Sequence, residues 1–224
     1  MRHRTVAELM THDVVRARHD LPFKEIARLL AANDVTAVPV VDEQDRPIGV
    51  VSEADLLRKS ADRADPSGLA PVPHLEAWER AKAEGARAEE LMSAPAVCAR
   101  PEWTVVEAAR LMEAQNVKRL PVVDETDKLL GIISRSDLLR VFLRRDEAIQ
   151  EEIHRDVLQE TMGLARSAVT AEVRQGEVAL SGNVELKSLI PIIERLCQSV
   201  DGVVSVHERI AYRTDDGRRP HNGM

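Results

Sequence analysis

Hydrophobic positions in this chain fall at helical spacing, then run together as strands, in an order that is written twice. Phe23, Ile26, Ala27, Leu29 and Leu30 share one helical face, and Pro22 suits the first turn. In the second copy Val105, Ala108, Ala109, Leu111 and Met112 do the same, and Thr104 with Glu107 forms a capping-box pair. Ahead of each helix the pattern predicts a short helix (Val6 to Met10; Ala88 to Met92) and an extended piece around Val14-Val15 and Ala96-Val97. Behind the first, Ala37 to Val41 and Ile48 to Val51 read as strands joined by the turn-rich Asp42-Glu43-Gln44-Asp45-Arg46-Pro47. A helix closes the unit from about Glu53, giving the order β-α-β-β-α.

The two copies keep one register. Leu9-Met10 returns as Leu91-Met92, Val38-Pro39-Val40-Val41-Asp42-Glu43 as Leu120-Pro121-Val122-Val123-Asp124-Glu125, and Gly49-Val50-Val51-Ser52 as Gly131-Ile132-Ile133-Ser134, always shifted by 82 residues. About two dozen of the aligned positions are identical, which marks a duplication. Two like modules that pack together would line any cleft between them with the same residue types.

A third pattern follows. Ile149, Ile153, Val157, Leu158 and Met162 line one helical face; Val169 to Val173 alternates as a strand; Gln175-Gly176 makes a turn; Val178 to Gly182 is a second strand. Leu186, Leu189, Ile190, Ile193, Leu196, Cys197 and Val200 mark a helix that Pro191 interrupts early, at the expense of a kink. Asp201-Gly202 ends it and Val203 to Val206 is the last strand, giving α-β-β-α-β. The chain is thus expected to be α/β (α+β), with a first repeat at 1–60, a linker at 61–86, a second repeat at 87–145, a small domain at 146–213 and a polar, frayed tail at 214–224. Within the linker, His74 to Ala86 reads as an exposed polar helix carrying Trp78, a candidate partner contact.

Charge and composition narrow the function. A formal charge of −7 argues against a nucleic-acid binder, which needs a basic face, and an aromatic content of 2% leaves few stacking platforms. The two cysteines, Cys98 and Cys197, have neither a disulfide framework nor zinc-ligand spacing. The seven histidines show no HxxxH or HExxH spacing. A cytoplasmic, non-enzymatic protein is expected.

The motif with most chemical content is Gly-apolar-apolar-Ser-x-x-Asp, at Gly49 to Asp55 and again at Gly131 to Asp137. The glycine ends a turn or allows close backbone approach. The serine sits where strand becomes helix, and the aspartate lies in the first helical turn. Two readings stand: Ser52-x-x-Asp55 and Ser134-x-x-Asp137 cap their helices, or the carboxylates accept the two hydroxyls of a ribose while the helix start faces an anion.

With its Leu-Met start, apolar-Pro-Val-Val-Asp strand and Gly-Ile-Ile-Ser-x-x-Asp-Leu close, the tandem unit resembles a pair of CBS domains over roughly 5–60 and 87–145. The resemblance implies a pseudo-twofold pair that dimerises, with a cleft for adenosine-type ligands such as AMP, ADP, ATP or S-adenosylmethionine. It implies ribose contacts from Asp55 and Asp137, ribose or phosphate contacts from Ser52 and Ser134, and a base pocket or phosphate contacts from Ala37-Val38-Pro39 and Arg119-Leu120-Pro121. Many relatives carry threonine in the first extended segment, where this chain has Arg16 and Cys98; Arg16 is placed to add a phosphate contact or fill the pocket.

The copies differ where charge matters. Lys118-Arg119 stands in the second copy where Thr36-Ala37 stands in the first. Lysine and arginine neutralise phosphate, so charge recognition is expected to concentrate there. The third segment resembles a BON domain over roughly 147–212, carried by Val173 to Gly182 and Val200 to Val206. That resemblance implies a small module often associated with membranes. Acidic side chains outnumber basic ones over 146–213, whereas anionic lipid attracts basic segments, so docking to an unknown protein partner is favoured over membrane contact. No cofactor is required; the expected role is a sensor whose BON-like domain relays nucleotide occupancy. The rival is a structural dimerisation adaptor with vestigial clefts.

Overall fold

The computed structural model describes residues 3–61 and 86–217, so the polar helix and Trp78 expected in the linker lie outside the described residues. The chain divides into two compact units, Thr5–Arg135 and a second that joins the first four residues to Ser136 onward.

The first unit holds α1 (Val6–Leu9), β1 (Ala17–Arg18), α2 (Phe23–Ala32), β2 (Ala37–Val41), β3 (Pro47–Ser52), α3 (Glu53–Ala61), α4 (Ala88–Leu91), α5 (Val105–Ala114), β4 (Arg119–Val123) and β5 (Leu129–Ser134). β2 and β3 pair antiparallel, as do β4 and β5 in the same register, and β1 adds to β2 in parallel. The capping box of α5 is formed, with the backbone N–H and hydroxyl of Thr104 donating to Glu107 at 2.8 Å each; these bonds hold the Glu107 carboxyl below its ordinary range. Pro22 is one position earlier than expected, at the N-cap of α2.

The extended pieces lie later than the valine pairs suggest. Ala17, 1% exposed, pairs with Val40, while Val14 and Val15 are only half-buried. In the second copy the piece reduces to a parallel bridge from Ala99 to Val122. Ala17 and Ala99, both fully buried, take the places beside β2 and β4, past the valines that precede them.

Each repeat is completed by the other. Leu91 and Ala88 of α4 are buried among Ile26, Leu30, Val38, Val40 and Val51 of the first repeat. The N–H of Ser93 donates to Val50 O at 2.8 Å and the N–H of Val50 to Ser93 O at 3.0 Å. At the positions shifted by 82, Thr11 and Ile132 exchange bonds of 2.9 and 3.0 Å. The N–H groups of Val6 and Ala7 reach Trp103 O and Pro101 O; those of Ala88 and Glu89 reach Leu21 O and His19 O. The motif glycines sit at these crossings. A Cβ on Gly49 would lie 2.8 Å from both Met92 Cγ and Ser93 O; one on Gly131 would lie 3.0 Å from Met10 Cγ and Thr11 O. Close backbone approach, not turn formation, is what these glycines supply.

The second unit continues from α6 (Arg135–Leu139) through a 3-10 turn (Arg140–Leu143) to α7 (Asp146–Glu152), which runs into a π-helix (Ile153–Thr161). Ile149, Ile153, Val157 and Leu158 form its buried face, with Met162 packed alongside. β6 (Val169–Arg174) and β7 (Glu177–Leu186) make a hairpin whose turn residues, Gln175 and Gly176, both take positive φ (53° and 76°), as a type I′ turn requires. α8 (Leu189–Gln198) then crosses to β8 (Ser205–Thr214), parallel to β7. Pro191 is the third residue of α8, where a backbone N–H has no intrahelical acceptor, so the expected kink has no cause there.

β8 runs to Thr214, well past the expected end at Val206. Only Ile210 is buried along it, so hydropathy does not reveal it; its backbone ladder with β7 does, from Glu177 opposite Ser205 to Leu186 opposite Thr214. Beyond it, Asp215 pairs with Lys187 at 2.8 Å and Asp216 accepts from Ser188 N and Oγ at 3.0 and 2.5 Å. The tail is therefore fastened as far as Asp216 rather than frayed from Thr214. No helix among the described residues is long and apolar enough to cross a membrane.

Asp201 gathers three stretches of chain. Its carboxylate meets His3 Nδ1 at 2.9 Å and accepts from Arg4 N at 2.7 Å, while its carbonyl accepts from Arg144 Nη1 at 2.7 Å. Arg144 also pairs with Glu152 at 2.6 Å. Cys197 is fully buried, and desolvation pushes its thiol up to about 12, as suits a core thiol.

Gly49→Ala and Gly131→Ala should each destabilise by about 1–3 kcal/mol in denaturant unfolding, the cost of overpacking against a backbone carbonyl. Asp201→Ala should cost about 1–2 kcal/mol and speed hydrogen exchange at the Arg4 amide.

Candidate functional site

The end of β3 delivers Ser52 to the start of α3, and the Glu53 N–H donates to Thr36 O at 3.0 Å, fixing that helix start beside β2. Asp55, in the first turn, is 5% exposed. A carboxylate so buried requires donors. The N–H and hydroxyl of Ser52 give two, to Oδ2 at 2.9 and 2.6 Å, and Arg58 Nη1 approaches Oδ1 at 3.3 Å. The carboxylate's half of the capping reading, Asp55 accepting from the Ser52 N–H, is present.

These groups face a cavity of about 630 Å³, within the range of small-molecule sites. Val50, Pro95, Ala96, Val97 and Val117 give it apolar walls; Thr36, Ser52, Asp55, Arg58, Lys118 and Arg119 give it polar ones, and Glu53 is also at its edge. The lining carries three basic side chains against two carboxylates, a balance that favours an anion. The basic pair of the second repeat and the acidic motif of the first therefore line one cavity. Arg119 also reaches the first repeat directly: Nη2 donates to Thr36 Oγ1 at 2.7 Å and Nη1 to Ala37 O at 3.2 Å.

Of the remaining candidates, all but Ala37 lie outside this lining. Ala37 lines the cavity, but Val38, Pro39, Leu120 and Pro121 are buried strand residues outside its lining. Ser134, at the end of β5, is outside it too. Asp137 belongs to the second unit; it is 8% exposed in the first turn of α6, with Arg140 at 3.4 Å. Arg16 pairs with Asp45 at 2.7 Å and does not line this cavity. Cys98 is half-buried beside it in sequence but not in the lining, and burial pushes its thiol up.

Sequence reasoning missed Arg58 and the apolar wall of Pro95, Val97 and Val117. A signal for Arg58 was present: it recurs as Arg140, three residues after the motif aspartate in both copies. The wall had none, because these residues come from a loop and a helix-to-strand connection without periodicity. No cluster of metal-ligating side chains occurs among the described residues.

Comparison with known proteins identifies the domains. The CBS domain model matches residues 6–62 and 88–144, and the BON domain model matches 145–214. An uncharacterized protein of Methanopyrus kandleri is 30% identical over 153 residues, covering 68% of this chain and 70% of its own length. Homoserine O-acetyltransferase of Methanohalobium evestigatum is 24% identical over 139 residues, which is 62% of this chain but only 24% of the enzyme. The crystal structure of CBSX2 from Arabidopsis thaliana in complex with AMP superposes with a TM-score of 0.52 at 29% identity, covering 62% of this chain and 96% of that one.

Proposed function

The chain belongs to the CBS domain family, with two copies followed by a BON domain, and from that membership we propose a regulatory protein whose cleft takes an adenosine-type ligand. The observation that carries the reading is the cavity itself, which joins Asp55 of one repeat to Lys118 and Arg119 of the other across apolar walls. The likeness to an AMP-bound CBS pair supports it. In this reading the apolar walls take the base, Asp55 the ribose and the two basic side chains the phosphate. An excess of cations suits a phosphate better than the sulfonium of S-adenosylmethionine. Occupancy then biases the packing of the repeats by whatever affinity difference the ligand has for their arrangements, and the BON domain carries that change to a protein partner.

Dimerisation through the CBS pair belongs to the same proposal. Leu57 is 67% exposed, and Leu139, its counterpart in the other repeat, is 61% exposed; large apolar groups left open at both equivalent positions suit burial against a second copy. The adaptor reading is favoured by one observation, the two bonds that Ser52 donates to Asp55, which satisfy the buried carboxylate within its own repeat.

Isothermal titration with AMP, ATP and S-adenosylmethionine separates the two. The nucleotide reading expects AMP to bind more tightly than S-adenosylmethionine. It expects Asp55→Ala to weaken AMP about tenfold or more, the worth of a hydrogen bond to a charged group. Lys118→Ala should weaken AMP while leaving adenosine unaffected. No heat with any of the three ligands supports the adaptor. Analytical ultracentrifugation should show a dimer that Leu57→Asp shifts toward monomer; a monomeric parent protein sinks the dimer proposal.

A further inference from the structure

The asymmetry between the repeats has a physical outcome beyond extra positive charge. Arg119 does not simply project into the cleft. Both terminal nitrogens of its guanidinium are engaged on the opposite repeat, Nη2 on Thr36 Oγ1 at 2.7 Å and Nη1 on Ala37 O at 3.2 Å. Those nitrogens form the fork with which arginine grips a phosphate in bidentate fashion. Thr36 stands at the position that in the second copy is Lys118, so the residue that holds Arg119 is the uncharged counterpart of its basic neighbour. Thr36, Ala37, Lys118 and Arg119 all line the same cavity.

We infer that Thr36 is a positioning residue that competes with the ligand's phosphate for Arg119. The Thr36 hydroxyl holds the guanidinium across the repeats. A phosphate that takes the fork must release it, exchanging neutral acceptors for a charged one. Binding then removes a tie between the start of β4 and the start of β2, so occupancy is felt as a loosened contact between the two repeats. The cost of release subtracts from nucleotide affinity. It leaves a nucleoside without phosphate untouched. This rests on the nucleotide reading above.

The test compares the full-length parent with Thr36→Val, Thr36→Ser and Arg119→Ala by titration with AMP and adenosine. Thr36→Val removes the acceptor but keeps the shape. It should tighten AMP roughly fivefold, on the order of one hydrogen bond at an exposed charged group, and leave adenosine unchanged. Thr36→Ser restores the hydroxyl and should bind AMP as the parent does. Arg119→Ala should weaken AMP and not adenosine. Weaker AMP binding by Thr36→Val would mean that the hydroxyl preorganises Arg119, and overturns the competition. Unchanged AMP affinity, or equal changes for AMP and adenosine, overturns it as well. A parent that binds neither ligand overturns the nucleotide reading itself, an outcome seen before any variant is made.

Discussion

The arrangement depends on two places where one repeat's backbone passes against the other's. At each, a glycine in the last strand of one repeat admits the methionine and following carbonyl from the opening of the other, Gly49 against Met92 and Ser93, Gly131 against Met10 and Thr11. Reciprocal main-chain bonds close both crossings at 2.8 to 3.0 Å. A Cβ has no room there, so neither repeat can be built without the other in register. Burial of Ala88 and Leu91 in the core of the first repeat states the same dependence in apolar terms. A half-module of this size would leave those core positions empty and several main-chain groups without acceptors, both of which are costly.

The cavity follows from that interlock. Because Ser93 is pinned to Val50, the segment that follows it, Pro95 to Val97, is laid along the mouth of the first repeat as an apolar wall. Lys118, just before β4, and Arg119, at its start, join Asp55 in the same lining. One repeat thus supplies the buried carboxylate and the other supplies the cations. The difference between Thr36-Ala37 and Lys118-Arg119 ceases to be a contrast between two sites and becomes complementarity within one, with Arg119 bonded to the two residues that stand in the first copy for Lys118 and itself. A separate constraint operates in the second unit, where Asp201 collects the start of the chain, Arg144 and, through it, Glu152.

Much of this was legible from sequence where a pattern had a local cause. The helices at 23–32 and 105–114 show it in their periodicity, Thr104 and Glu107 in their spacing, the hairpin at Gln175-Gly176 in its turn residues. The features that escaped have non-local causes. β8 buries only Ile210 and exists through its ladder with β7. The extended pieces pair at Ala17 and Ala99, past the more hydrophobic valines before them. At the cavity, the motif residues Ser52 and Asp55 and the pair Lys118-Arg119 were visible one by one, but their meeting was not. Val38, Pro39, Leu120 and Pro121 are core because a five-residue strand buried on both faces hides its middle. Arg16, an unpaired cation on paper, has Asp45 within 2.7 Å only because the β2–β3 turn folds back to it.

The most direct measurement of the central claim, that one cleft is assembled from the carboxylate of the first repeat and the cations of the second, is a crystal structure of the full chain grown with AMP. The account predicts the ribose hydroxyls on Asp55, the phosphate on Lys118 and Arg119, and the Arg119–Thr36 bond opened. Nucleotide density elsewhere, or in this cavity with its phosphate away from both basic side chains, would contradict it.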